Sequence, residues 1–212
     1  MPSYGLLVAG FHYANIPADE FDDWYDTEHI PERLSVKGFI NAERWVAADG
    51  AKTALATYDL ESLAVLKQPS YVTKKGEGRS PWSKRIGRKT ELFCRLTAEQ
   101  IVPGREAAPD GAGGLLMFAT NVAAENEKDF NAWYDEEHVP ALRGVPGCLS
   151  ARRFRTDEGA PQYVALYHLR SPDVVTSSAW KTAVETPWTA RMRPHFKGTL
   201  RLVFCKYRRD GV

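Results

Sequence analysis

Cysteine is scarce in this chain, and so are the features that would announce a membrane, a nucleic acid or a nucleotide. The three cysteines, Cys94, Cys148 and Cys205, form no C-x-x-C pair, and an odd count in a chain of 212 residues argues against a disulfide framework. No apolar run approaches the length that crosses a bilayer. The opening MPSYGLLVAGFHYANIPADE has neither a basic leading stretch nor a small-residue cleavage site, so a cytoplasmic location away from membranes is expected. Charge of one sign is missing too: 28 Lys and Arg against 27 Asp and Glu leave a net +1, which gives no general attraction to phosphate backbones and excludes nucleic acid as the expected partner. There is no G-x-S-x-G elbow, no G-x-x-x-x-G-K-[ST] loop and no G-x-G-x-x-G fingerprint, so hydrolase, P-loop and dinucleotide readings lose support.

What the chain does have is an internal repeat. GLLVAGF from Gly5 lies over GLLMFAT from Gly114, and the same shift of 109 residues carries Phe21 onto Phe130, Trp24 onto Trp133, His29 onto His138, Gly38 onto Gly147 and Arg44 onto Arg153. Pro81-Trp82 then matches Pro187-Trp188, and Phe93-Cys94 matches Phe204-Cys205. Between the copies, residues 97–113 (TAEQIVPGREAAPDGAG) lack hydrophobic periodicity and are rich in Gly, Pro and Ala, as a linker is. The expected organisation is therefore a first unit over 1–96, a linker over 97–113 and a second unit over 114–212.

Each copy reads in the same order. A short apolar run is a strand covered on both faces. PADEFDDWYDTEH has helical spacing, with Pro17 suited to its first turn and Pro31 ending it. Residues 39–47 and 148–156 alternate like strands and turn back as hairpins at Asp49-Gly50 and Glu158-Gly159, and a proline-broken helical stretch and a last strand follow. The β-α-β-β-α-β order predicts an α+β fold of two tandem ferredoxin-like units. Their antiparallel sheets bury their open faces against one another and enclose a space between them. The first helix of each copy is acidic and the end of each copy basic, which reads as solvated faces of opposite sign.

The motif F-x-x-W-Y-D-x-E-H-x-P, at 21–31 and again at 130–140, resembles the signature of the EthD-like proteins in the dimeric α+β barrel superfamily. The resemblance covers nearly the whole chain outside the linker and implies the architecture of an intrachain barrel, with edge strands that leave a homodimer of chains possible. It leaves the chemistry open, because that superfamily includes polyketide cyclases and decarboxylases, lactone isomerases, cofactor-independent monooxygenases, haem enzymes and proteins without known activity.

Histidine is the side chain best suited to moving protons near neutrality, so His29 and His138 are the candidate catalytic residues. The opposing reading of each is a helix-terminal residue that meets free carbonyls. Tyr25 and Tyr134, four residues earlier, share their helical face, and Trp24 and Trp133 would form aromatic walls for a planar substrate. Arg44 and Arg153 would bind an anionic group, and His12, at the end of the first strand, would line the pocket. Phe21 and Phe130 read as core. No metal site is expected, since no H-x-x-x-H or H-E-x-x-H spacing exists. These residues predict an enzyme without cofactor, acting by His-mediated proton transfer on a small lactone or polyketide-like aromatic compound, as a lyase or isomerase. A non-catalytic binding or accessory protein of EthD type is the alternative, and a haem protein is a third.

Overall fold

The computed structural model of the chain describes residues 2–209. The first apolar run forms β1 (Gly5–His12), where Leu6, Leu7 and Val8 are all buried, as a strand covered on both faces requires. A helical stretch follows, made of α1 (Ala18–Trp24), a π-helical turn (Tyr25–His29) and α2 (Ile30–Leu34). The hairpin of β2 (Glu43–Ala47) and β3 (Thr53–Leu60) comes next, then α3 (Pro69–Val72), α4 (Pro81–Lys89) and β4 (Glu91–Val102). The second half runs in the same order: β5 (Gly114–Asn121), α5 (Ala124–Trp133), a π-helical turn (Tyr134–His138), α6 (Val139–Arg143), β6 (Cys148–Glu158), β7 (Tyr163–Leu169), α7 (Ser178–Val184), α8 (Pro187–Met192) and β8 (Lys197–Lys206).

All eight strands close into one antiparallel barrel in the order β1-β3-β2-β8-β5-β7-β6-β4. Two seams join the halves. At one, Trp45 of β2 lies opposite Lys206 of β8; at the other, Thr97 to Val102 of β4 run against Glu158 to Arg153 of β6. That second seam recruits part of the expected linker. Residues 97–102 have no apolar periodicity of their own, yet they continue β4 because β6 offers a ladder of unpaired backbone groups.

Side chains from both halves fill the barrel. Leu6, Val8, Trp45 and Leu55 meet Leu115, Met117, Phe154, Leu166 and Phe204 in one buried cluster. The space expected between the sheets is therefore core rather than cavity, as befits an eight-stranded barrel whose interior is just wide enough for side chains. The helices cover the outer faces, giving each half a second cluster around Phe21, Trp24 and Tyr25 or around Phe130, Trp133 and Tyr134.

Two polar pairs also sit inside the barrel, the first of them charged. Arg152 Nη1 donates to Asp59 Oδ1 at 2.8 Å with both side chains at most 2% exposed, and His168 Nε2 lies 3.2 Å from Glu43 Oε2. Under the 109-residue shift Glu43 is the counterpart of Arg152, and Asp59 that of His168. The two contacts are thus related as the two ends of an isologous interface are, with the charges changed. His168 showed no partner in the sequence because its partner is 125 residues away.

After each motif helix the chain turns through a glycine that needs its freedom. Gly38 and Gly147 have φ of 99° and 90°, and a Cβ on them would come within 2.5 Å of Val65 Cγ2 and 2.8 Å of Val174 Cγ2. Among the described residues no helix is long and apolar enough to cross a membrane.

Candidate functional site

The motif helices carry the site, and their shape differs from the expected one. Pro31 does not end the helix; it occupies the first turn of α2, where a missing N–H costs nothing, and the helix continues to Leu34. The connection is the π-helical turn, in which Ile30 N–H bonds to Tyr25 O, five residues back. Widening the turn by one residue puts the histidine over two aromatics instead of one. His29 lies 4.5 Å from Trp24 and 5.3 Å from Tyr25, ring centre to ring centre, and His138 lies 4.3 Å from Trp133 and 5.2 Å from Tyr134.

Most other polar positions of the motif are committed to architecture. Trp24 Nε1 donates to Ser83 Oγ at 3.0 Å, and Trp133 Nε1 to Thr189 Oγ1 at 3.2 Å. Glu28 accepts from Ser80 Oγ at 2.6 Å, as Glu137 does from Thr186 Oγ1 at 2.6 Å. Ser80 and Thr186 are also the N-caps of α4 and α8, accepting from Ser83 N and Thr189 N, so each motif glutamate ties its helix to the cap of a later one. The recurring S-P-W-S and T-P-W-T, at 80–83 and 186–189, were the available signal for these contacts.

The arginines do likewise. Arg44 donates to Asp22 at 2.6 Å and Asp26 at 3.0 Å and stacks on Tyr25 and Tyr207. Arg153 donates to Asp135 at 2.7 Å and Asn131 at 2.8 Å over the face of Tyr134. Their donors face the motif helices rather than a ligand. His12 stacks on Phe93 and contacts Thr53 Oγ1 at 2.9 Å, away from the cavities described here. The acidic first helices and basic ends meet within each half, through Arg85 and Lys89 on Glu20 and Arg191 on Asp129, and also between the halves, through Arg209 on Asp23 and Asp26.

What remains is a cavity of about 330 Å³ on the outer face of the second half's sheet, between β5, β7, the motif helix and α7. Trp133, Tyr134 and His138 line it together with residues the sequence did not single out: Phe118, Leu142, Tyr167, Trp180 and Phe196. Lys181, Glu185, Arg193 and Arg201 are exposed at its rim. Burial pushes the His138 imidazole down to about 3, with the Arg153 and Arg193 charges adding to the effect, and His138 Nδ1 is buried without a hydrogen-bond partner. Burial likewise pushes the Tyr134 phenol up to about 12. The matching pocket in the first half, beside Trp24 and His29, holds only about 80 Å³, while a wider groove of about 480 Å³ runs past the other side of His29. Burial, then Arg33 and Arg44, push His29 down to about 3 as well.

No protein-family model matches the sequence, and no curated protein matches it. Solved structures do match. A provisionally assigned monooxygenase from Fusobacterium nucleatum subsp. nucleatum superposes with a TM-score of 0.68 at 10% identity, covering 98% of this chain and 94% of that one. A mutant chlorite dismutase from Candidatus Nitrospira defluvii, in complex with cyanide, gives 0.63 at 10% identity over 98% and 92%. The fold is that of the dimeric α+β barrel. An anthrone oxidase-like protein shares it, with a TM-score of 0.62 at 13% identity over 96% of this chain and 92% of that one.

These findings correct the expected reaction. The neighbours carry names of monooxygenase, oxidase and dismutase type rather than of lactone isomerases or polyketide cyclases. The site itself argues the same way. A proton-transfer catalyst works best when its pKa lies near the working pH, and imidazoles lowered to about 3, as His29 and His138 are, stay neutral throughout that range. The cofactor-free proton-transfer reading, with its lyase or isomerase type, is set aside.

Proposed function

We propose that this protein is a haem-binding enzyme of oxidative type, with the cavity beside His138 as its site. The observation that carries the reading is the meeting, in one cavity, of a neutral imidazole, aromatic walls and a cationic rim. Neutral imidazole is the form that ligates metals. Trp133, Tyr167, Trp180 and Phe196 offer apolar faces to a planar macrocycle, and Lys181, Arg193 and Arg201 offer partners for its carboxylates, Glu185 yielding Arg193 to them. In kind these residues match what haem needs, though the cavity of about 330 Å³ must widen to take the whole macrocycle; when bound, haem supplies redox chemistry at iron that no side chain here can supply. Among the chain's own contributions, His138 would hold the iron, Leu142 and Leu116 would exclude water, and Tyr134 would stay protonated as a phenol. Haemin added to the purified protein is expected to give a shifted Soret band that His138→Ala loses while still retaining metal-free protoporphyrin. A folded protein that binds neither porphyrin overturns the reading.

One observation favours a second reading. Metal-bound histidines nearly always donate their other ring N–H, whereas His138 Nδ1 has no partner. In that reading the same cavity holds a planar aromatic metabolite without a metal, as a binding protein of EthD type would. Equal affinity for haemin and metal-free protoporphyrin, unaffected by His138→Ala, would favour it.

The proposal extends to the chain's organisation: two tandem ferredoxin-like units of EthD type, 1–96 and 114–212, in a cytoplasmic protein. The 109-residue shift, the identical order of elements and the exchanged pairs Glu43–His168 and Arg152–Asp59 support it.

A further inference from the structure

At one buried position of the motif helices Arg33 in the first half stands in place of Leu142 in the second, and the next position carries the reverse exchange, Leu34 against Arg143. Arg33 and Leu142 are both buried, and each lines the cavity of its own half. Leucine suits such a position, but an arginine whose side chain is only 8% exposed calls for acceptors. Arg33 has few. Its Nη2 reaches Glu32 Oε2 at 3.5 Å and Lys74 O at 3.4 Å, both long, and its Nη1 is buried with no partner at all. Tyr58 Oη, lining the same groove of about 480 Å³, is buried and unpartnered too. Around the opening stand Lys74, Lys75, Arg79 and Arg95, and among the described residues no carboxylate lines the groove. Arg33 and Lys75 share the Tyr71 ring at 5.2 and 4.6 Å. This crowding has a cost: burial first, then the Arg95 charge, hold the Lys75 ammonium below its ordinary value, with only Glu158 opposing. The opposite wall, Leu7, Ala9, Phe11 and Leu92, is apolar.

We propose that this first-half groove binds a planar small molecule carrying one carboxylate or phosphate group, with Arg33 and the cations at the opening taking the anion and the β1 face taking the ring. Charge-assisted bonds to a largely desolvated guanidinium are stronger than those between neutral groups. The site is separate from the His138 cavity and stands or falls independently of haem.

The test is a calorimetric titration of the full chain with naphthoate, naphthyl phosphate and the uncharged naphthamide. At least one anion is expected to bind about tenfold or more tighter than the amide, the tighter of the two naming the anionic group, and Arg33→Leu should abolish that preference in a protein that still melts cooperatively. Lys75→Gln, at an exposed position, should weaken anion binding without abolishing it, and keeps the test valid should Arg33→Leu fail to fold. Arg193→Gln with Arg201→Gln, which strips the rim of the other cavity, should leave the preference intact. Amide binding as tight as both anions, an unchanged preference in Arg33→Leu or Lys75→Gln, or its loss in the rim variant would overturn the proposal.

Discussion

Asp59→Asn removes one charge from the barrel interior and leaves its partner behind. Asp59 Oδ1 accepts from Arg152 Nη1 at 2.8 Å, while Oδ2 accepts from Asn41 Nδ2 at 2.8 Å and from Ala108 N at 2.6 Å. Arg152 has one further acceptor, Glu106 O at 2.9 Å, and its Nε and Nη2 have none. With both side chains at most 2% exposed, water cannot take over the lost interaction. Breaking such a pair by removing one partner costs about 3–5 kcal/mol. In a chain of this length that corresponds to a drop in Tm of roughly 6–20 °C. Urea unfolding should show the midpoint falling with the slope unchanged. Asp59→Leu combined with Arg152→Met removes both charges and should recover most of the loss, because the desolvation of each disappears together with their attraction. A single variant within about 1 kcal/mol of the parent, or a double variant no better than the single, would refute the view that the seam depends on a compensated buried pair.

Gly38→Ala and Gly147→Ala should each cost about 1–3 kcal/mol, from the left-handed backbone and the clash with Val65 or Val174; urea midpoints equal to the parent's would contradict this. Ser80→Ala removes the N-cap of α4 and the donor to Glu28, and a loss of about 1 kcal/mol is expected in the same assay. The two motif histidines make stability depend on pH. Their folded pKa values near 3 lie below the ordinary imidazole value of about 6.5, so the unfolded chain binds protons first as pH falls; the stability they contribute is complete above about pH 6.5 and is lost toward pH 3. Each accounts for a slope of about 1.4 kcal/mol per pH unit in that window, and His138→Phe should flatten the profile by one such share.

The sequence's own repetition made much of the fold legible. Gly5–His12 and Gly114–Asn121 are strands for the apolar reasons read in them, and the hairpins close where Asp49-Gly50 and Glu158-Gly159 suggested. Three features escaped. The π-helical turns did, because aromatic spacing at three and four residues suits an α-helix equally well, and a one-residue widening leaves no mark in periodicity. The filled barrel did, because an apolar strand buried on both faces does not say which face meets a cavity. The partners of Arg44, Arg153 and His168 did, because polar contacts across 18 or 125 residues follow from topology rather than from local pattern. The difference between Arg33 and Leu142 was visible in the aligned copies, but its meaning depended on both facing cavities.

The most direct measurement of the central claim is a haemin titration followed in the Soret region on the parent chain, His138→Ala and His29→Ala, all checked for cooperative melting. A single haemin per chain is predicted, with the ligated spectrum kept in His29→Ala and lost in His138→Ala. A spectrum indifferent to His138, or lost with His29 instead, would contradict the placement of the site in the second half.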